Sequence, residues 1–335
     1  MEALLLLWVI GLALGAYVLT GGADFGAGVW DLLASGPRRA RQREAIEQAI
    51  APIWEANHIW LILVVVLAFT GFPIGFAAIG IALHIPIALA LVGIVLRGAA
   101  FAFRGYGIDT PTAKTIWGRV FAWSSLLTPV CLGLVVGGLS SPAIRIVAPA
   151  GAAIRMESGW LAGWLSPFAL LVGAFVLVLF ALLAAVYLAA ETAHDDELSA
   201  DFRRRAIAAE IVAAVLAAAT ALQARVETPL LFDGLVRAPW SLPVQTFTFV
   251  AACTALVALA TRRPRLARAA AIGQVSGVVV GWGLAMDGHL FLPALPISQA
   301  GAVGTVVHAA LAVLGVGALV LGPALFWLMR VFKGR

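Results

Sequence analysis

The sequence predicts an all-α integral membrane protein, and three observations predict it. Hydrophobic residues make up 62% and charged residues only 12% of the 335-residue chain, with a mean hydropathy of +1.02, far above what a soluble domain carries. Apolar runs of about 20 residues, the length that crosses a hydrocarbon core of about 30 Å, recur from one end to the other. Basic residues gather in short clusters between these runs. That distribution excludes nucleic-acid binding, which a pI near 9.9 would otherwise suggest, because membrane topology calls for such clusters and a single soluble face does not.

The runs fall at 4–33, 48–72, 76–97, 117–139, 164–190, 205–225, 244–261, 269–291 and 302–329, which makes nine transmembrane helices. Charge orients them. Arg38, Arg39, Arg41 and Arg43 fall in the first loop, Arg97, Arg104, Lys114 and Arg119 around the third. Arg203 to Arg205 lie in the fifth, Arg262, Arg263, Arg265 and Arg268 in the seventh, and Arg330, Lys333 and Arg335 in the tail. Of the 22 basic residues only Arg145, Arg155, Arg225 and Arg237 fall on the other side. The N-terminus is therefore expected outside and the C-terminus in the cytoplasm. The opening Leu4–Leu19 lacks a basic leader and runs on into an acidic, glycine-rich segment, so it reads as a retained span.

Residues 1–335 read as one polytopic membrane domain. Residues 1–139 would form a first four-helix bundle, 164–291 a second, and 302–335 a peripheral ninth helix with its basic tail. Cys131 and Cys253 lie inside apolar runs, where small hydrophobes are the simplest reading. The stretch Glu191–Glu197 resembles a metal site on first inspection, but its acids suit the N-terminus of the next helix as a solvated turn.

Chemistry concentrates in the first three spans. In the first, Tyr17, Asp24 and Asp31 recur every seven residues and share a helical face, while Gly11/Gly15 and Gly22/Gly26 are small-residue pairs that let a neighbouring backbone approach. In the second, Ala51-Pro-Ile-Trp-Glu-Ala-Asn-His-Ile-Trp60 heads the apolar run 61–69. An ionisable group at such depth costs about 2.5–3.5 kcal/mol, so it must face protein or water. Helical spacing puts Glu55 and His58 on one face and Asn57 and Trp60 on nearly the opposite one. Lipid suits neither stripe, so the segment should be wrapped by other helices or wedged against a partner subunit. Counted inward from Ser35 and Arg43, Asp24 and Glu55 lie about 15–18 Å along their helices. Arg97 closes the third span on the same side, so Asp24, Glu55 and Arg97 are expected to form one buried network. His58 and His84 read first as packing histidines, His84 beside a kink expected at Pro86.

Gly22-Ala-Asp-Phe-Gly26, then Ile50 to Leu61, then Leu96-Arg-Gly-Ala-Ala-Phe-Ala-Phe-Arg104, in this order and spacing, resemble subunit II of the cytochrome bd quinol oxidases. The likeness is specific over about residues 15–140; beyond that only hydropathy, length and Ser166-Pro-Phe168 continue it. The resemblance implies nine helices and an oxidoreductase complex in a bacterial or archaeal cytoplasmic (inner) membrane. Its partner, subunit I, would bind the haems, of type b and in some cases d. Ubiquinol or menaquinol would be the substrate, and oxygen would be reduced to water with cytoplasmic protons. It implies no haem ligation by this chain, and partners limited to subunit I, membrane lipid and quinone, with room for a small accessory subunit. Residue by residue, Asp24 matches the acid of the first-helix motif, and Glu55 stands where many members have Asp. Asn57 and Trp60 match the amide and second tryptophan, and Arg97 and Arg104 match the paired arginines. Gly22 replaces a further Asp, and His58 adds a titratable group. Asp24, Glu55 and His58 are thus the candidate proton relay, and Asn57, Trp60, Arg97 and Arg104 the candidate subunit-interface or haem-environment residues. Two other readings remain: an ion-coupled secondary transporter, whose midplane acids would bind a coupling ion, and a purely structural subunit whose acids are ion-pair partners.

Overall fold

The computed structural model describes residues 2–50, 54–106, 110–147, 154–301 and 304–333. In chain order the elements are α1 (Glu2–Leu32), α2 (Arg39–Ile50), α3 (Trp54–Gly71), α4 (Pro73–Ala82), α5 (His84–Tyr106) and α6 (Pro111–Leu139). A two-residue hairpin, β1 (Ile146–Val147) and β2 (Arg155–Met156), leads to α7 (Pro167–Glu191), α8 (Asp196–Glu227), α9 (Pro229–Arg237), α10 (Ser241–Ala260) and α11 (Pro264–Ala285). A second hairpin, β3 (His289–Phe291) and β4 (Leu295–Pro296), is followed by α12 (Ile297–Ala300) and α13 (Gly304–Lys333).

Local chemistry sets many of these starts. Proline occupies the first turn of α4, α6, α7, α9 and α11, where its missing N–H costs nothing. Thr110, Ser166 and Asp195 cap α6, α7 and α8 by accepting from the N–H groups of Ala113, Ala169 and Leu198, each worth about 1 kcal/mol.

Among the described residues seven helices, α1, α5, α6, α7, α8, α10 and α13, are long and apolar enough to cross a membrane, and the pair α3 and α4 makes eight if counted as one broken span. That pair is bent by 116°. Here the structure corrects the expected third span, 76–97. Its first part is α4, turned away at Phe72, and its second part belongs to α5, which runs to Tyr106 and so places Arg97 inside a helix. The interruption expected at Pro86 is found in the turn before it, as the break at Leu83 between α4 and α5: Pro86 has no N–H to give the Ala82 carbonyl, and it sits in the first turn of α5, where none is needed.

The first basic loop is also more ordered than its charge suggested, since residues 39–50 form α2. Arg38 grips Asp201 with two hydrogen bonds of 2.8 Å, Gln42 reaches the same carboxylate at 2.9 Å, and Arg41 pairs with Glu197 at 3.1 Å and with Asp195. The Glu191–Glu197 stretch is thus a capping and ion-pairing turn.

Helix α1 lies at the centre of the packing, against α3, α6 and α7; α5 packs on α6, α7 on α8 and α11, and α10 on α11. A side-chain carbon at Gly26 would collide with the main-chain carbonyl of Phe180 on α7. Trp30 Nε1 donates to the Ala181 carbonyl at 2.7 Å along the same seam. The two glycine pairs therefore part company, because around Gly11 and Gly15 nothing lies within 4 Å. Helix α13 touches α1 and α3, yet its described apolar residues are almost all left unburied.

Candidate functional site: a buried ion pair between α1, α5 and α6

Asp24 sits two-thirds along α1 on the face that α5 and α6 cover, and it is 3% exposed; Arg97, midway along α5, is 2% exposed. The two meet end on. Arg97 Nη1 donates to Asp24 Oδ2 at 2.8 Å and Nη2 to Oδ1 at 2.7 Å. The second Nη2 hydrogen goes to the main-chain carbonyl of Asp24 at 2.9 Å, and Nε donates to Ser125 Oγ on α6 at 3.0 Å. Ser125 in turn donates to the Phe121 carbonyl at 2.7 Å. Four of the five guanidinium N–H groups are thus used, a saturation that a buried charge requires.

Aromatic faces enclose the pair. The guanidinium carbon lies 4.9 Å from the ring centres of both Phe25 and Phe121, within cation–π range. Gly28 makes room for Ser125, since any side-chain carbon there would overlap the serine Cβ and Oγ. Gly22 has a comparable constraint: a Cβ would stand 2.7 Å from the Phe180 ring. The absence of a second acid at Gly22 therefore goes with a bulky phenyl group filling its place.

Beside the pair lies the head of α3. The His58 ring rests between Tyr17 and Phe25, with centroid separations of 6.3 and 6.2 Å. Tyr17 Oη, His58 Nδ1 and Asn57 Nδ2 are buried with no hydrogen-bond partner among the described residues. Buried polar atoms without partners cost about 1–3 kcal/mol each, so these three groups call for partners beyond the described side chains. Asn57 is buried on the protein side, whereas Ile59, Ile62 and Phe69 are exposed, and Trp60 is 37% exposed. Glu55 lies on the first turn of α3, and Arg104 near the end of α5; their side chains lie outside the described residues. The structure brings together Asp24 and Arg97, with His58 against Phe25 beside them; it buries Asn57 within the protein and leaves Trp60 on an open apolar face.

Residues 2–332 match the family described as cytochrome bd terminal oxidase subunit II. This chain belongs to that family. Among relatives of this subunit, it is 31% identical over 114 residues to cytochrome bd ubiquinol oxidase subunit 2 of Bacillus subtilis, an alignment covering 34% of this chain and 33% of the relative. It is 26% identical over 144 residues to cytochrome bd-I ubiquinol oxidase subunit 2 of Escherichia coli K12, covering 41% of this chain and 36% of the relative. The matched region is thus about a third of the length of these curated relatives. In fold it is similar to a chain of the bd oxidase structure from Geobacillus thermodenitrificans, with a TM-score of 0.75 at 22% identity, covering 99% of this chain and 98% of the other. The subunit II family membership and the apolar helices make this a multi-pass membrane protein.

Several residues of the site gave little sign of themselves in the sequence. Ser125 is a serine in an apolar run, and Phe25 and Phe121 are two of the chain's 17 phenylalanines. Asp31, on the same stripe as Asp24, meets Arg43, whose Nε is 3.6 Å from Oδ1. A second buried polar pair lies in the other half of the molecule, where Gln274 Nε2 on α11 donates to Glu210 Oε1 on α8 at 2.8 Å. Each is a lone polar residue inside an apolar run, a weaker signal than the polar cluster that singled out Glu55.

Proposed function

We propose that this chain is the haem-free second subunit of a membrane quinol:oxygen oxidoreductase, bound to a haem-bearing subunit I. Haems of type b, and of type d where present, are held by that partner, which oxidises ubiquinol or menaquinol and reduces oxygen to water. The role of this chain is to support subunit I and to deliver cytoplasmic protons. The observation that carries the reading is the set of unpartnered polar atoms, Tyr17 Oη, His58 Nδ1 and Asn57 Nδ2, beside a saturated ion pair at the head of the motif helix. Water held there would link Glu55 and His58, both able to exchange protons. Asp24 enters the route only when Arg97 releases one of its oxygens. Trp60 and the exposed residues of α3 would face the partner, with Arg104 towards the haem side; Arg97, enclosed with Asp24, would shape that environment only from within this chain.

The proposed topology has nine crossings, N-terminus outside and C-terminus cytoplasmic. It takes α3 with α4 as one crossing and α11 as another, in two four-helix groups, 1–139 and 164–291, with 302–335 peripheral.

The test has two stages. The chain is purified with whatever accompanies it, and a reduced-minus-oxidised spectrum is recorded; haem bands carried by a second subunit are the expected result, and a colourless monomer refutes the assignment. Glu55→Gln is then expected to keep the haems and lose quinol-driven oxygen consumption, with Glu55→Asp largely restoring it. A wild-type rate in Glu55→Gln at matched haem content would favour the second reading, a structural subunit, for which the saturation of both Asp24 oxygens already speaks.

A further inference from the structure

At the end of the molecule that carries most of its basic residues, a cavity of about 450 Å³ opens between the C-terminal ends of α7 and α10 and the N-terminal ends of α8 and α11. Five arginines line it: Arg38, Arg203, Arg204, Arg262 and Arg263. Two carboxylates line it as well, Asp196 and Glu197, so cations outnumber anions. Part of the charge is already committed. Arg38 is bound to Asp201 at 2.8 Å, Glu197 is 3.1 Å from Arg41, and Arg203 Nη1 spends one hydrogen on the Leu259 carbonyl at 3.3 Å. Arg204, Arg262 and Arg263 have no ion-pair partner among the described residues; Arg204 stands near Asp201, whose oxygens Arg38 holds.

The backbone adds to this. Arg262 has a φ of 59°, a left-handed conformation that a non-glycine residue adopts at a cost and that recurs at binding sites. It turns the chain from α10 into α11, whose N-terminus opens on the cavity with no side chain capping it. A helix start with unmet N–H groups favours anions. Val186, Ala189, Ala258 and Leu259 close the cavity from behind and are themselves buried; the apolar lining with accessible surface is Ala193, Ala200 and Pro264. Arginines that only fixed the topology need not share a cavity, and these five line one.

We infer that this cavity binds the phosphate of an anionic phospholipid, with the guanidinium groups of Arg204, Arg262 and Arg263 on the phosphate oxygens and the glycerol beside Ala193, Ala200 and Pro264. Guanidinium forks match phosphate geometry, and basic pockets between the ends of membrane helices on the cytoplasmic side take such headgroups. That position, where the proposed topology puts the cavity, favours a lipid over a soluble phosphate compound. The site is independent of the Asp24–Arg97 pair and of the proposed oxidase role.

The test uses the purified complex and the variant Arg204→Gln/Arg263→Gln, neither residue holding a direct ion pair among the described residues. Native mass spectrometry after delipidation is expected to find phosphatidylglycerol or cardiolipin retained on the wild type. Retention should fall by roughly thirty-fold in the variant, the factor two such arginines supply. Vesicles of phosphatidylglycerol should raise the thermal stability of the delipidated wild-type complex more than vesicles of phosphatidylcholine, and this arm stands even if the variant does not fold. Protection by inorganic phosphate without any preference for phosphatidylglycerol would keep the phosphate site and assign it a soluble ligand, overturning the lipid. Equal anionic-lipid retention in wild type and variant, or no difference among the three additions, would overturn the proposal.

Discussion

Replacing Arg97 by methionine probes the buried pair most directly, because it removes the guanidinium and keeps most of the stem volume. Three hydrogen bonds to Asp24 and one to Ser125 disappear. What remains is the Asp24 carboxylate, its side chain 0% exposed, with no cation and two aromatic rings against the vacated space. Breaking a buried pair from one side in this way costs about 3–5 kcal/mol. Neutralising both sides at once, in Asp24→Asn/Arg97→Met, removes the stranded charge, so the double variant should be less destabilised than the sum of the singles by about 2–3 kcal/mol. Arg97→Lys should fall between, since it keeps the charge but neither the fork nor the Nε–Ser125 bond. The assay is reversible unfolding of the purified protein in mixed micelles for all four members of the cycle. A cost below about 1 kcal/mol for Arg97→Met, or additivity within about 0.5 kcal/mol, would refute the argument, because either result requires that water already reaches Asp24.

Single cysteines at Ser35 and Arg265, both exposed, should react with an impermeant thiol reagent only from the cytoplasmic side, and one at Arg237 only from outside; the reverse at any position breaks the proposed topology. Gly26→Ala drives a methyl group into the Phe180 carbonyl and should cost at least about 1–3 kcal/mol in the same unfolding assay, whereas Gly11→Ala, with open space around it, should change stability by less than about 0.5 kcal/mol. At the α7–α8 turn, the Leu198 N–H and then Arg41 hold the Asp195 carboxyl below its ordinary value of 3.8. A depressed carboxyl stabilises the fold above that value and loses the contribution as pH falls further, so thermal scans at stepwise lower pH should show wild type and Asp195→Ala converging below about pH 4.

The membrane class and the Asp24–Arg97 pair were legible because each follows from a strong constraint. A carboxylate in lipid needs a cation at its own depth, and span counting left Arg97 as the candidate. Span counting failed at α4 because run length and hydropathy do not distinguish a crossing from a helix that turns aside; the decision lay with Pro73, which can start a helix and cannot continue one. Helix α2 was read as a loop because its arginines were counted only as topological signals, although Arg41 binds Glu197 of α8 and Asp195 at its cap, and Arg43 meets Asp31 of α1. The glycine pairs of α1 look alike in sequence, and only the position of α7 separates Gly26, which is pressed against a backbone, from Gly11, which is not. Glu210 and Gln274 carried the right signal individually; their meeting depends on how α8 and α11 pack, which no local pattern encodes.

The distance along the chain between Asp24 and its partner has a consequence for synthesis. Arg97 follows Asp24 by 73 residues, with three helices between, and at about 5–20 residues per second it emerges roughly 4–15 s later. Throughout that interval α1 holds an acid in the middle of its apolar length with no cation to meet it. Its final seat also depends on α6 and α7, made later still, which supply Ser125 and the carbonyl groups along the Gly26 seam. Helix α1 thus precedes these partners in the chain and is locked only when the last of them has been made. A nascent chain halted before Arg97 should leave α1 open to extraction by alkaline carbonate, and one halted after α7 should not.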